Sequence, residues 1–311
     1  MAIRNPVEWG IDQFRSAGVA VSSANRGWRP AEAEVQGALP IVRRITVDDL
    51  RDVLRSGFSD FGANRTDVIF LCLIYPVVGI VLARVAAGGA LLPELFPLAS
   101  GFALIGPIFG LGLYEMSRRR ELGVPGGWTD AFRVLGSPSL GAIVLLGLLL
   151  TAIFIFWDVV AYVIYLLTLG PQPPASIASF IHDVFLTPAG WAMIVVGLGV
   201  GFVFAVVVLA ISVVAFPLLL DREVGIEIAV ATSVRTVMAN PGPMALWGLI
   251  VAGGLVIGSI PLFIGLAIVL PVLGHATWHL YRKAVIWQRP LSSSLGPDRA
   301  VEASMPRDGH G

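Results

Sequence analysis

Long apolar runs separated by short loops, with arginine confined to every second loop, leave this chain few structures to adopt. Six runs come near the roughly 20 residues a helix needs to cross about 30 Å of hydrocarbon. They cover residues 68–86, 95–116, 140 to about 164, 191–220, 244–258 and 262 to about 279. Residues 244–279 are too long for one helix of ordinary tilt. The Gly258-Ser259-Ile260-Pro261 break predicts a tight turn between two shorter helices, with a single re-entrant hairpin as the alternative.

The charges follow this division. Of the 21 Lys and Arg residues, all but Arg84 fall before the first run, between the second and third, between the fourth and fifth, or after the sixth. Because basic loops are retained on the cytoplasmic side, the pattern predicts both termini cytoplasmic and an even number of crossings. An odd number would put one basic cluster on the wrong face. With 56% hydrophobic and 14% charged residues, the chain lies far from soluble averages. A net charge of zero gives no basic surface for nucleic acid. The single cysteine, Cys72, lies inside the first run and excludes an internal disulfide or a CxxC zinc site. The first 40 residues contain no apolar core of signal-peptide type, so insertion is expected to be driven by the internal spans.

Residues 1–47 and 287–311 are rich in Gly, Ser, Pro and charge and read as weakly ordered cytoplasmic segments flanking a membrane domain, residues 48–286. Leu50, Val53, Leu54, Phe58 and Phe61 recur at three- and four-residue steps among Asp49, Arg51, Asp52, Arg55 and Asp60. This predicts an amphipathic helix at the cytoplasmic interface. Arg120-Glu121-Leu122-Gly123, followed by Arg133, recurs 102 residues later as Arg222-Glu223-Val224-Gly225, followed by Arg235. The recurrence suggests two parallel copies of a span, cytoplasmic helix, span unit. The fold expected is an all-α integral membrane bundle: six transmembrane helices, cytoplasmic amphipathic linking helices and an internal repeat.

Depth at 1.5 Å per residue sorts the ionisable groups. Arg84 and Asp158 share a level near the outer face and are expected to pair, since each alone would be a partly desolvated charge. Asp67, Glu115, Asp221, His275 and His279 share a level at the inner face and are expected to form a polar cluster. None of these groups falls near the midplane, which argues against an ion-coupled pump. His275 and His279 are four apart, on one helix face, a spacing that could hold a metal or haem. Their neighbours Trp278, Tyr281 and Arg282 favour interfacial anchoring instead. Pro76, Pro107 and Pro271 lie near the middle of three spans, where broken helices line some transporter sites but kinks more often serve packing. Residues 171–174 read as a stiff turn into a short amphipathic helix on the outer surface, with His182-Asp183 on its polar face. No phosphate loop, nucleophile elbow or paired-carboxylate motif occurs in a suitable context, so no catalytic residue and no cofactor is expected.

Several blocks carry a resemblance. Arg65-Thr66-Asp67, Tyr114-Glu115-Met116-Ser117-Arg118-Arg119-Arg120-Glu121, Leu220-Asp221-Arg222, Asn240-Pro241-Gly242-Pro243-Met244 and Gly274-His275-Ala276-Thr277-Trp278-His279 resemble a bacterial family of multi-pass inner-membrane proteins catalogued as domain of unknown function 2189. The resemblance spans about residues 45–285. It implies a bacterial plasma-membrane protein and brings no activity, substrate or cofactor. Three functional classes remain. The first is a non-enzymatic membrane protein that organises the envelope or regulates partners, either copies of itself or other membrane proteins. The second is a transporter or channel for a small neutral or lipophilic solute, and the third a metal- or haem-binding protein using His275 and His279.

Overall fold

The computed structural model describes residues 40–72, 97–98, 110–124, 133–172, 174–261 and 263–287. Nearly all of them are helical. In chain order the elements are β1 (Ile41–Val42), α1 (Val47–Cys72), α2 (Leu111–Glu121), α3 (Leu140–Thr168), α4 (Ile177–Leu186), α5 (Pro188–Ser212), α6 (Ala215–Asp221), α7 (Ile226–Ala239), α8 (Pro241–Ser259), α9 (Leu266–Ala284) and β2 (Val285–Ile286). Among the described residues, three helical rods are long and apolar enough to cross a membrane. These are α3, the α5–α6 rod and α8. The first two sequence runs fall largely outside the described residues.

The chain between residues 188 and 221 bends at Val213–Val214, where the helix is interrupted. Pro217 explains the position: it has no N–H, and its ring crowds the carbonyl four residues earlier, that of Val213. The Val214 N–H donates instead to the Ser233 hydroxyl of α7 at 3.2 Å, so this buried amide stays paired across the bend. Between α8 and α9 the chain turns tightly, giving two antiparallel helices joined at the Gly258 to Pro261 break. A Cβ on Gly265 would sit 2.8 Å from the Gly258 carbonyl oxygen, which is why the turn needs small residues on both arms.

α9 is the axis of the packing. It is buried over most of its length, from Leu266 to Ala284. It runs antiparallel to α1 and crosses α2. A Cβ on Gly57 would meet Ala276 Cβ and the Val272 carbonyl, both at 2.8 Å. A Cβ on Gly274 would meet the Leu113 side chain. At the end of this helix pair, Ile41 and Val42 join Ile286 and Val285 in a two-stranded antiparallel sheet. Residues 41–46 thus belong to the folded unit, a few residues earlier than the boundary read from composition. Residues 1–39 and 288–311 lie outside the described residues.

Two expectations for α1 need correction. The interfacial helix does not stop near Phe61 but continues as one helix to Cys72, into the first predicted span. Its buried face is Leu50, Val53, Gly57 and Asp60, whereas Phe58 is 58% exposed. Leu50 and Val53 of the stripe read from the sequence are thus buried and Leu54 packs against the core, whereas Phe58 falls outside the contact face, which takes in Gly57 and Asp60 instead. The short helix expected after residues 171–174 does form as α4, with Ser176 and Ser179 closing a reciprocal cap at its start. Its His182 and Asp183 are exposed side by side, 3.4 Å apart.

Candidate functional site

The polar side chains gather where the middle of α1 meets the C-terminal halves of α2 and α9. Asp60, on the buried face of α1, is 5% exposed. One of its carboxylate oxygens accepts from the Ser117 hydroxyl of α2 at 2.6 Å and from His279 Nε2 of α9 at 2.9 Å. The other accepts from Arg120 at 2.7 Å, and Arg120 also reaches the Ser59 hydroxyl at 3.2 Å. Burial alone would raise the Asp60 carboxyl. The hydrogen bonds from His279 and Ser117 hold it below the usual carboxylate range.

Proton bookkeeping then fixes His275. Ser117 spends its one hydroxyl proton on Asp60, so its lone pair accepts from His275 Nδ1–H at 2.8 Å. A neutral imidazole protonated at Nδ1 carries a bare lone pair on Nε2. That atom is buried and has no hydrogen-bond partner among the described residues. Polarity therefore runs His275 to Ser117 to Asp60, with His279 and Arg120 feeding the same carboxylate. Serine bridges histidine and aspartate here. In a nucleophilic triad histidine would bridge the other two, and it does not.

Around this centre lie two further ionic groups. Glu115, 3% exposed, accepts two bonds from Arg118, one turn along α2, at 2.7 and 3.0 Å. Asp221 accepts from the Tyr281 hydroxyl at 2.7 Å, and Arg282 lies 3.5 Å from it. Burial first, and then the Asp221 charge, push the Tyr281 phenol upward. Glu121 is shared by Trp278 Nε1 at 3.0 Å and Arg282. Lys283 bridges Asp49 and Asp52 at 2.9 and 2.8 Å, and Asn240 of the α7–α8 junction ties down the β1 segment. Its carbonyl oxygen accepts from Ile45 N–H at 2.7 Å, and its amide donates to the Arg43 carbonyl at 3.1 Å.

The expected inner-face cluster is therefore brought together only in part. His275 and His279 converge, but on Asp60. Glu115 and Asp221 occupy neighbouring pairs, and the Asp67 side chain lies outside the described residues. Sequence reasoning missed Asp60, Ser117 and Asn240. For the histidines as metal ligands, each presents one nitrogen to a protein hydrogen bond. No group of three or more His, Cys, Asp or Glu spaced to hold a metal ion occurs among the described residues. At the outer end, Asp158 Oδ1 is buried without a hydrogen-bond partner among the described residues, and Arg84 lies outside them.

Apolar helices whose ionised groups collect at one end define a helical integral membrane protein. Residues 95–221 match the model of a family described as "Predicted integral membrane protein (DUF2189)", and over that segment the chain is similar to it. The match takes in the block 112–121 and most of 217–222. Asp60, His275 and His279 lie beyond it. No curated protein and no solved structure matches the chain.

Proposed function

We propose that this is a non-enzymatic protein of the bacterial plasma membrane, with both ends cytoplasmic, that organises the membrane or regulates partner membrane proteins. One observation carries the reading. The polar groups at the inner end neutralise one another in a fixed network, while the long apolar helices present their sides outward. Of the most apolar stretch of the α5–α6 rod only 6% is buried within the chain. Leu198, Phe202 and Val203 on α5 and Leu249, Val256 and Ile257 on α8 are all exposed. Such sides fit lipid or the helices of a neighbour, because in a bilayer association rests on surface packing.

The topology has independent support. The pairing of Ile41 with Ile286 brings the two ends of the membrane domain together, which supports an even number of crossings. Arg43, Arg118, Arg120, Arg222 and Lys283 lie at that same end, which favours its being cytoplasmic. The internal repeat is supported by element boundaries. α2 ends at Glu121 and α6 at Asp221, while α3 begins at Leu140 and α8 at Pro241. The copies differ in detail, since Gly123 is left-handed at φ +70° and Gly225 is extended at φ −67°.

Crosslinking in cells followed by copurification in mild detergent tests the proposal. A reproducible membrane partner or a second copy of the chain is expected. Recovery of the protein alone, with no self-association, refutes it. The transport reading draws on Pro271 inside α9, which leaves the Ala267 carbonyl without its helical donor. A water-accessible path to the midplane, measured by labelling of introduced cysteines along α9, would favour transport over the regulatory role.

A further inference from the structure

Beyond that role, we propose that a crevice at the arginine-rich end of the molecule binds a phosphate group. A cavity of about 350 Å³ opens between the end of α2, the turn before α3 and the end of α6. That is within the range of small-ligand sites, about 300–1,000 Å³. Arg118, Arg119, Arg133 and Arg222 line it, together with the hydroxyl residues Ser137 and Ser139. Arg133 of the first repeated segment and Arg222 and Glu223 of the second thus share one hollow, while Arg120 and Glu121 turn away to Asp60 and Arg282.

The electrostatics favour an anion. Three carboxylates share the wall, Glu115, Asp221 and Glu223, against four guanidinium groups. Glu115 is held by Arg118 and Asp221 by Tyr281, while Glu223 is exposed. The start of α3 adds to the positive field. This helix of 29 residues has no acidic residue in its first turn. Its cap residue, Ser139, makes no capping bond with its side chain, and its hydroxyl donates to the Arg222 carbonyl at 3.3 Å. The Ser139 and Leu140 amides are taken by Ser137, so this helix start contributes through its dipole. Guanidinium forks match phosphate oxygens in geometry and bond to them more strongly than neutral donors do. The crevice lies where α3 enters the apolar layer, the level of lipid headgroups, so the phosphate can come from an anionic lipid or from solution.

Native mass spectrometry of the full chain, titrated in neutral detergent with phosphatidylglycerol or phosphatidylcholine, separates these sources when run beside thermal shift with inorganic phosphate alone. If a lipid supplies the group, phosphatidylglycerol is expected to bind about tenfold or more tightly than phosphatidylcholine, the worth of one charge-assisted contact. The preference should fall as salt is raised. Arg133→Gln, on an exposed turn, and Arg119→Gln should reduce it, whereas Arg51→Gln, far from the crevice, should not. If free phosphate is the ligand, it should raise the wild-type unfolding temperature saturably, and Arg133→Gln should remove that rise. Wild-type protein that prefers neither probe overturns the proposal whatever the variants do. So does a preference that survives both arginine substitutions intact.

Discussion

Replacing Asp60 by Asn tests the idea that one carboxylate locks three helices. The carboxylate accepts from Ser117, His279 and Arg120 at 2.6, 2.9 and 2.7 Å and is almost wholly buried. Asn is nearly the same size but carries an NH2 where a second acceptor oxygen stood, so at least one of the three donors must face a donor. Arg120 is 41% exposed and recovers water, which discounts its share. Ser117 is 1% exposed and cannot. A stranded buried donor costs about 1–3 kcal/mol, and breaking a buried ion pair about 3–5 kcal/mol. We therefore expect Asp60→Asn to destabilise by about 3 kcal/mol. In a unit of this size that lowers the unfolding temperature by about 6–12 °C, at roughly 2–4 °C per kcal/mol. Thermal unfolding in a fixed detergent reads the shift. A double-mutant cycle with Ser117→Ala should show coupling of about 1 kcal/mol or more. A variant within about 1 kcal/mol of wild type, or strictly additive losses, would refute the locking role. The pH dependence has a defined sign. The folded carboxyl titrates below its unfolded value, so its contribution is complete above the usual carboxylate range and disappears as pH falls through the folded value. Acid sensitivity in that window should be weaker in Asp60→Asn.

Gly57→Ala should destabilise more than Gly274→Ala, because the new methyl meets the Val272 backbone oxygen in the first case and the mobile end of Leu113 in the second. Overpacking of this kind costs about 1–3 kcal/mol, and a reversed order in thermal unfolding would contradict the assigned contacts. Asn240→Ala removes the acceptor for Ile45 and a donor to Arg43. Faster hydrogen exchange at Ile45 and cleavage by trypsin at Arg43 or Arg44 are expected, with a loss of about 2 kcal/mol. Asp49 is held down to about 2, first by the Thr46 N–H and then by Lys283, so its stabilisation is lost only as pH falls from about 4 toward 2. Asp49→Asn should flatten that part of the acid-unfolding curve, and an unchanged curve would remove Asp49 from the account. At the outer end, Arg84→Leu and Asp158→Asn should couple by about 1 kcal/mol or more in a double-mutant cycle if the two groups pair. Additivity within about 0.5 kcal/mol would end that expectation.

The positions of α3, α5, α8 and α9 and the α8–α9 turn could be read from the chain because lipid demands long apolar runs, and the Gly258 to Pro261 break interrupts one of them visibly. The contact face of α1 could be read only in part: Leu50 and Val53 were legible, Gly57 and Asp60 were not. Amphipathic reading assumes that the apolar stripe points inward, as it does in water. In a bilayer the surroundings are as apolar as leucine, so bulky Phe58 can face outward while Gly57 and Asp60 pack against α9. The available signal was the i, i+3, i+7, i+10 series Leu50, Val53, Gly57, Asp60, in which a glycine for close approach is followed one turn later by an ionisable group. Asp60 was hidden among Asp49, Asp52 and Arg55, which do belong to a polar surface. The spacing of His275 and His279 placed them on one face, but their partners Ser117 and Asp60 lie 158 and 219 positions away, across contacts no local pattern encodes.

Apolar packing in lipid is weakly directional, since a leucine exchanges lipid tails for another side chain with little difference in environment. Register between helices must therefore come from contacts that tolerate no sliding. In the described part of this molecule two kinds supply it, and both sit toward one end. Gly57 and Gly274 allow α9 to close on α1 and α2. Asp60, Glu121 and Asp221 then pin the facing turns through Ser117, His279, Trp278 and Tyr281. A slide of one residue along α9 would turn His275 and His279 about 100° away from Asp60 and strand several buried groups together. That end consequently behaves as a clamp. Toward the other end α3, α5 and α8 meet mostly through apolar side chains and are held less tightly. Motion imposed on those helices by lipid or by a partner would pivot about the clamp, where the arginine-lined crevice is built from α2, the start of α3 and the end of α6.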